Sequence, residues 1–112
     1  MNKISTTIQW REICALEDIP ARGARRLRLG DKEVAIFRTA RNEVYAINNL
    51  CPHKGGPLSE GIVHDTAVTC PLHSMVIDLT TGVARGEDRG CVQTYPVEVR
   101  ESGKVYLGLQ MV

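Results

Sequence analysis

The chain has 112 residues, 43% of them hydrophobic, with 14 basic and 13 acidic side chains and a net charge of +1. That is enough for one domain with a real core, yet small enough to gain from a bound metal. The near balance of charge argues against a nucleic-acid binder, which needs a concentrated basic face. No apolar run reaches the roughly 18 residues of a membrane span, so no membrane association is expected.

The first seven residues hold one lysine, no long apolar stretch and no cleavage signature. They predict a protein that is not exported and stays cytoplasmic. A single helical turn is expected over residues 16–19, stopped by Pro20 and Gly23. Arg22, Arg25, Arg26 and Arg28 form one basic cluster. It reads as a solvated strand or loop surface, or as a docking patch for an acidic partner.

Lys32–Arg38 is a predicted strand, residues 39–42 a turn, and residues 43–48 a second strand alternating polar with apolar side chains, so the two form a hairpin. A long loop follows over residues 48–60, containing Gly55-Gly56-Pro57. His64 lies in a segment that reads as a turn and is expected at the surface. Strands at 67–70 and 75–79 flank a shorter loop, 70–74, and Thr80-Thr81-Gly82 makes the next turn. Residues 92–99 and 105–109, joined by 101–104, predict a second hairpin. Short strands with Gly-rich turns throughout imply an all-β chain, a small antiparallel sandwich or barrel.

Two motifs stand out in the loops, Cys51-Pro52-His53 and Cys70-Pro71-Leu72-His73, in a chain with four cysteines and three histidines. Two thiolates and two imidazoles are the ligand set of a metal centre, and both donor types suit iron. Each pair is mixed, with one intervening residue in the first and two in the second. That asymmetry points to a Rieske-type [2Fe-2S] cluster, in which two Cys hold one iron and two His the other. Zinc is the main rival, but its Cys2His2 sites usually pair Cys with Cys and His with His, and Cys-x-His is tight for one tetrahedral ion. A catalytic cysteine with a histidine base would not need the motif twice.

Cys14 and Cys91 are then left as reduced, buried or half-buried thiols rather than a disulfide. Asp78 and Asp88 read as isolated carboxylates with no partner by spacing. No phosphate cradle, Ser-His-Asp set or nucleotide fingerprint is present, so the chain is expected to bind no nicotinamide or flavin itself.

On these residues the chain resembles Rieske-fold proteins, and more narrowly it is similar to the small subunits of assimilatory NAD(P)H-dependent nitrite reductases. The resemblance covers about residues 10–109. It is carried by Cys-Pro-His-Lys-Gly-Gly-Pro-Leu-Ser-Glu-Gly at 51–61, Cys-Pro-Leu-His at 70–73, Ile-Asp-Leu-Thr-Thr-Gly at 77–82 and Gly-Cys-Val-Gln-Thr-Tyr-Pro-Val at 90–97. The first two segments are common to Rieske ferredoxins, and the last leans towards the nitrite reductase subunit.

The resemblance implies three antiparallel sheets with a cluster-binding subdomain in two loops, at about 48–60 and 70–75 of a single domain, 1–112. It implies that Cys51 and Cys70 hold the buried iron and His53 and His73 the outer one. It further implies a large partner subunit with siroheme, FAD and a [4Fe-4S] cluster, on which nitrite is reduced to ammonia in nitrate assimilation. This chain would then be an electron-transfer oxidoreductase subunit, with catalysis on the partner. A ferredoxin feeding a ring-hydroxylating dioxygenase, or a non-redox assembly subunit, are the competing expectations.

Respiratory Rieske proteins carry two further cysteines at the positions of Gly56 and Leu72, and a serine at the position of Met75. Their absence implies no cross-link between the loops, fewer donors to cluster sulfur and a lower potential.

Overall fold

The computed structural model describes residues 7–52, 55–72, 74–86 and 89–111. These contain ten strands: β1 (Thr7–Ala15), β2 (Gly23–Leu29), β3 (Lys32–Arg38), β4 (Val44–Asn48), β5 (Ile62–His64), β6 (Ala67–Thr69), β7 (Val76–Asp78), β8 (Thr94–Tyr95), β9 (Val97–Val99) and β10 (Lys104–Met111). They pair antiparallel in three sheets, ordered β1-β10-β9, β2-β3-β4-β8 and β5-β6-β7. Two single 3-10 turns, Leu16–Asp18 and Leu58–Glu60, complete the regular structure, the first where a helical turn is expected. Among the described residues no helix is long and apolar enough to cross a membrane.

The four-stranded sheet is the middle layer, and β3 shows why. Its Val34, Ala35, Ile36 and Phe37 are all fully buried. A strand covered on both faces is a continuous apolar run rather than an alternating one. Val34 and Ile36 face a core shared with Cys14, Val105 and Leu107 of the β1-β10-β9 sheet. Ala35 and Phe37 face a second core made with Val63, Val68 and Ile77 of the β5-β6-β7 sheet. Each fully buried Val, Ile or Phe side chain contributes about 1.5–3 kcal/mol relative to exposure. The register β3–β4, Arg38 opposite Val44, closes the expected hairpin, with Asn42 N–H donating to Thr39 O at 3.0 Å across its turn.

The expected strand over 92–99 is divided in two. Pro96 has no N–H to give to a ladder, and the chain changes sheet there. β8 pairs with β4 in the middle sheet, whereas β9 pairs with β10 in the outer one. The predicted hairpin is thus β9–β10 alone, and residues 94–99 stitch two layers together. His64 is the last residue of β5 rather than part of a turn. It is exposed, as expected, with its Nε2 2.7 Å from Thr69 Oγ1.

Candidate metal centre

The two cysteine loops leave different sheets and reach the same second core. Loop one leaves the end of β4, and loop two joins β6 to β7. Cys51 and Cys70 are each 2% exposed and belong to the same core as Phe37, Leu58 and Met75. His53 and His73, the other two expected ligands, lie outside the described residues, as does Asp88.

Both loops close on their cysteine in the same way. Cys51 N–H donates to Gly56 O at 2.8 Å, and Gly55 N–H donates to Cys51 O at 2.9 Å. Cys70 N–H donates to Met75 O at 2.7 Å, and Ser74 N–H donates to Cys70 O at 3.1 Å. In each, the residue four after the cysteine adopts a left-handed conformation, with φ 72° at Gly55 and 62° at Ser74. The first loop places glycine there at no steric cost, and the second places a serine where glycine is favoured. Two six-residue rings, each with a buried sulfur at its root, thus repeat one geometry on two loops.

Gly56 is where the loops touch. A Cβ at Gly56 would lie 2.7 Å from Leu72 Cδ1, 2.9 Å from Leu72 Cγ and 3.4 Å from Cys70 Sγ. Loop one therefore passes directly beside the sulfur of loop two, and any side chain at Gly56 would have to displace Leu72. Leu72 fills the space beside Gly56, so the two loops meet there through an apolar contact. The donor set and this cradle fit a cluster held between the loops, with soft sulfur donors at its buried end.

A third segment leans on the site. Ala84 N–H donates to Gly90 O at 3.0 Å, and a Cβ on Gly90 would sit 3.1 Å from the Pro52 ring. Asn49 anchors loop one from the other side. It is 6% exposed, and its Nδ2 donates to Glu33 Oε1 at 2.7 Å and Ser59 Oγ at 3.0 Å, while its Oδ1 accepts from Ser59 N–H at 2.7 Å. Sequence reasoning passed over Asn49 and Glu33, because nothing in the spacing of two residues sixteen apart marks them as partners.

Two expectations are corrected here. Asp78 is not isolated. Its Oδ1 accepts from Thr80 N–H and Oγ1 at 2.8 and 2.5 Å, and its Oδ2 accepts from Arg85 Nη2 at 3.1 Å. The Thr80 hydroxyl bond, helped by the Thr80 N–H and Arg85, holds its carboxyl below the usual range despite some desolvation. An Asx turn looks two residues ahead, a signal present in Asp-Leu-Thr but not read as one. Cys14 is buried as expected, and desolvation raises its thiol pKa. Cys91, however, is exposed, and its backbone forms an isolated antiparallel bridge with Val83.

An all-β chain whose two parallel-built loops root two buried sulfurs in one core is an iron–sulfur domain of the electron-carrier class. A model of the Rieske-like [2Fe-2S] domain family matches residues 9–108, and the chain belongs to that family. Its cofactor is a [2Fe-2S] cluster. The chain is 31% identical over 105 residues to the ferredoxin component of the naphthalene 1,2-dioxygenase/salicylate 5-hydroxylase systems of a Ralstonia species, covering 93% of this chain and 99% of that one. It is 35% identical over 108 residues to a nitrite reductase [NAD(P)H] large subunit of Klebsiella oxytoca, covering 92% of this chain but only 11% of that protein. Among solved structures, the Escherichia coli protein NirD superposes with a TM-score of 0.79 at 30% identity, covering 92% of this chain and 98% of that one.

Proposed function

We propose that Cys51 and Cys70 hold one iron of the cluster and His53 and His73 the other, in a single domain spanning 1–112 with cluster loops at about 48–60 and 70–75. When bound, the cluster supplies one-electron transfer. The chain's own residues bury its cysteine end, close both loops by backbone hydrogen bonds and set its surroundings. Met75 is 4% exposed and brings a thioether rather than a hydroxyl to loop two. With no hydroxyl donor there, the reduced state is less stabilised, which supports a low potential.

We further propose that the chain is the electron-transfer small subunit of a cytoplasmic NAD(P)H-dependent nitrite reductase serving nitrate assimilation. Nitrite is reduced to ammonia on a large partner subunit that carries siroheme and FAD. The similarity to Escherichia coli NirD across 98% of that chain carries this reading. The likeness of the Klebsiella nitrite reductase chain to this domain also supports it. A second reading, a ferredoxin delivering electrons to a ring-hydroxylating dioxygenase, is favoured by the match to 99% of the Ralstonia ferredoxin component.

The test has two stages. Protein purified anaerobically should carry a visible spectrum typical of a bis-His [2Fe-2S] centre and, once reduced, an EPR signal of low average g. Colourless protein holding stoichiometric zinc would sink the cluster reading. The chain is then mixed with a siroheme-containing large subunit or with a dioxygenase oxygenase component. NADH- or NADPH-driven nitrite consumption that requires this chain, and falls in His73→Ala, supports the nitrite reductase role. Turnover of the oxygenase alone favours the second reading, and nitrite reduction undiminished in His73→Ala favours an assembly role.

A further inference from the structure

β2 is the outer strand of the middle sheet. Its sequence, Gly-Ala-Arg-Arg-Leu-Arg-Leu, holds three arginines and no acid. Arg25, Arg26 and Arg28 are all exposed, and so is Arg22 in the turn before them. Arg38, Arg85 and Arg100 each donate to an oxygen at 2.8 to 2.9 Å or pair with a carboxylate. Among the described residues, no such bond engages the side chain of any of the four clustered arginines.

The register fixes which way two of them point. Arg26 lies opposite Ala35 and Arg28 opposite Glu33, and cross-strand partners share a face of the sheet. Ala35 faces the core that holds Cys51 and Cys70, as does Ala24 of β2. Arg26 and Arg28 are therefore on the cluster side. Arg28 lines a cleft together with Asn49 and Leu50, the two residues before Cys51. Leu50 is 52% exposed and Leu72, beside Cys70, is 58% exposed. Asp31, Lys32 and Glu33 line the same cleft, and Glu60 lies on the turn packed near β2.

We propose that Arg26 and Arg28, continuous with Leu50, form a docking surface for an acidic protein face, that of the electron-transfer partner, and draw that face towards the cluster loops. This rests on the reading of the chain as an electron carrier. Unpaired arginines beside exposed leucines fit a protein surface with carboxylates around an apolar centre. A phosphate backbone would have no use for the exposed Leu50. Edge strands also carry charges to discourage aggregation, but that purpose is served by either sign and by lysine as well. Arginine alone on this strand, with Glu33 already taken by Asn49 Nδ2, leaves the unengaged charge on the cluster side positive and selects the sign of what approaches.

The probes are poly-L-glutamate, poly-L-lysine and duplex DNA for binding, and two small oxidants for kinetics, anionic ferricyanide and cationic hexaamminecobalt(III). Each oxidant takes one electron from the chemically reduced protein, giving ferrocyanide or the cobalt(II) ion. At low salt, Arg26→Glu with Arg28→Glu should weaken poly-L-glutamate binding and slow ferricyanide oxidation about tenfold. It should speed the cobalt reaction, and all differences should shrink as salt rises past a Debye length of about 8 Å. Arg26→Gln with Arg28→Gln should give intermediate values, which guards against misfolding of the charge-reversed protein. Equal poly-L-glutamate binding by wild type and variants, parallel movement of both oxidant rates, or tighter binding of DNA than of poly-L-glutamate would each overturn the proposal. A protein with no reducible cluster would defeat the electron-carrier reading instead, while the poly-L-glutamate binding still decides the docking face.

Discussion

Replacing Asn49 by Ala tests whether loop one is held from outside the site. The substitution removes three side-chain hydrogen bonds, to Glu33 Oε1 at 2.7 Å, to Ser59 Oγ at 3.0 Å and from Ser59 N–H at 2.7 Å. A neutral hydrogen bond contributes a net of about 0.5–1.5 kcal/mol and one to a carboxylate more. Water can reach the partly exposed Glu33, which returns some of that. The expected loss is about 2–3 kcal/mol, felt first as local opening of the loop that carries Cys51 two residues on. At about 1.4 kcal/mol per factor of ten, the loop should open about 30- to 150-fold more often. The assay is the rate at which an iron chelator bleaches the visible absorbance of the loaded protein, with amide exchange of Ser59 N–H beside it. Asn49→Asp should also be fast, because its carboxylate faces Glu33, and adding Glu33→Gln should restore a donor and slow it again. Chelation and Ser59 exchange within threefold of wild type in Asn49→Ala would refute the clamp.

Three further outcomes follow from the site and its flank. Gly56→Ala should cost about 1–2 kcal/mol, since its Cβ would meet Leu72 Cδ1 at 2.7 Å. Leu72→Ala in the same chain should recover most of it in a urea titration, and an unchanged cost would place the clash elsewhere. Ser74→Gly should leave stability within about 0.5 kcal/mol, the relief of its left-handed backbone offsetting glycine's greater freedom when unfolded, whereas Ser74→Val should cost about 1–3 kcal/mol. Equal effects of the two would mean that this position is not held left-handed. Asp78 has a folded pKa below its unfolded one, so its stabilisation is present above the usual carboxylate value and disappears as pH falls through the lower folded value. Asp78→Asn should therefore cost about 1 kcal/mol at neutral pH and progressively less in acid, and a pH-independent difference would contradict this account.

Much of the fold was legible because the signals were local. β3 and β4 announce themselves by apolar runs broken at a turn, and the turn at 39–42 follows from its polar composition. The division at Pro96 was equally local in cause, a missing N–H, but its consequence was not. Which sheet each half would join depended on β4, whose paired residues lie 47 and 49 positions away, and on β10, whose paired residues lie 6 to 10 positions away. The Asn49–Glu33 bond and the opposition of Gly56 and Leu72 were illegible for the same reason, since residues meet there only after two loops and a hairpin have been placed.

By itself, the sequence determined the donor types, their mixed spacing and hence the cofactor, because ligand chemistry depends on which atoms are offered and in what order along a short loop. It also determined the all-β class through the period of its apolar residues. Tertiary structure alone decided that the two loops are built alike, that Leu72 fills the gap beside Gly56, and that two of the four arginines lie on the cluster side. Those depend on register and on sheet stacking, where a shift of one residue would turn each side chain to the opposite face.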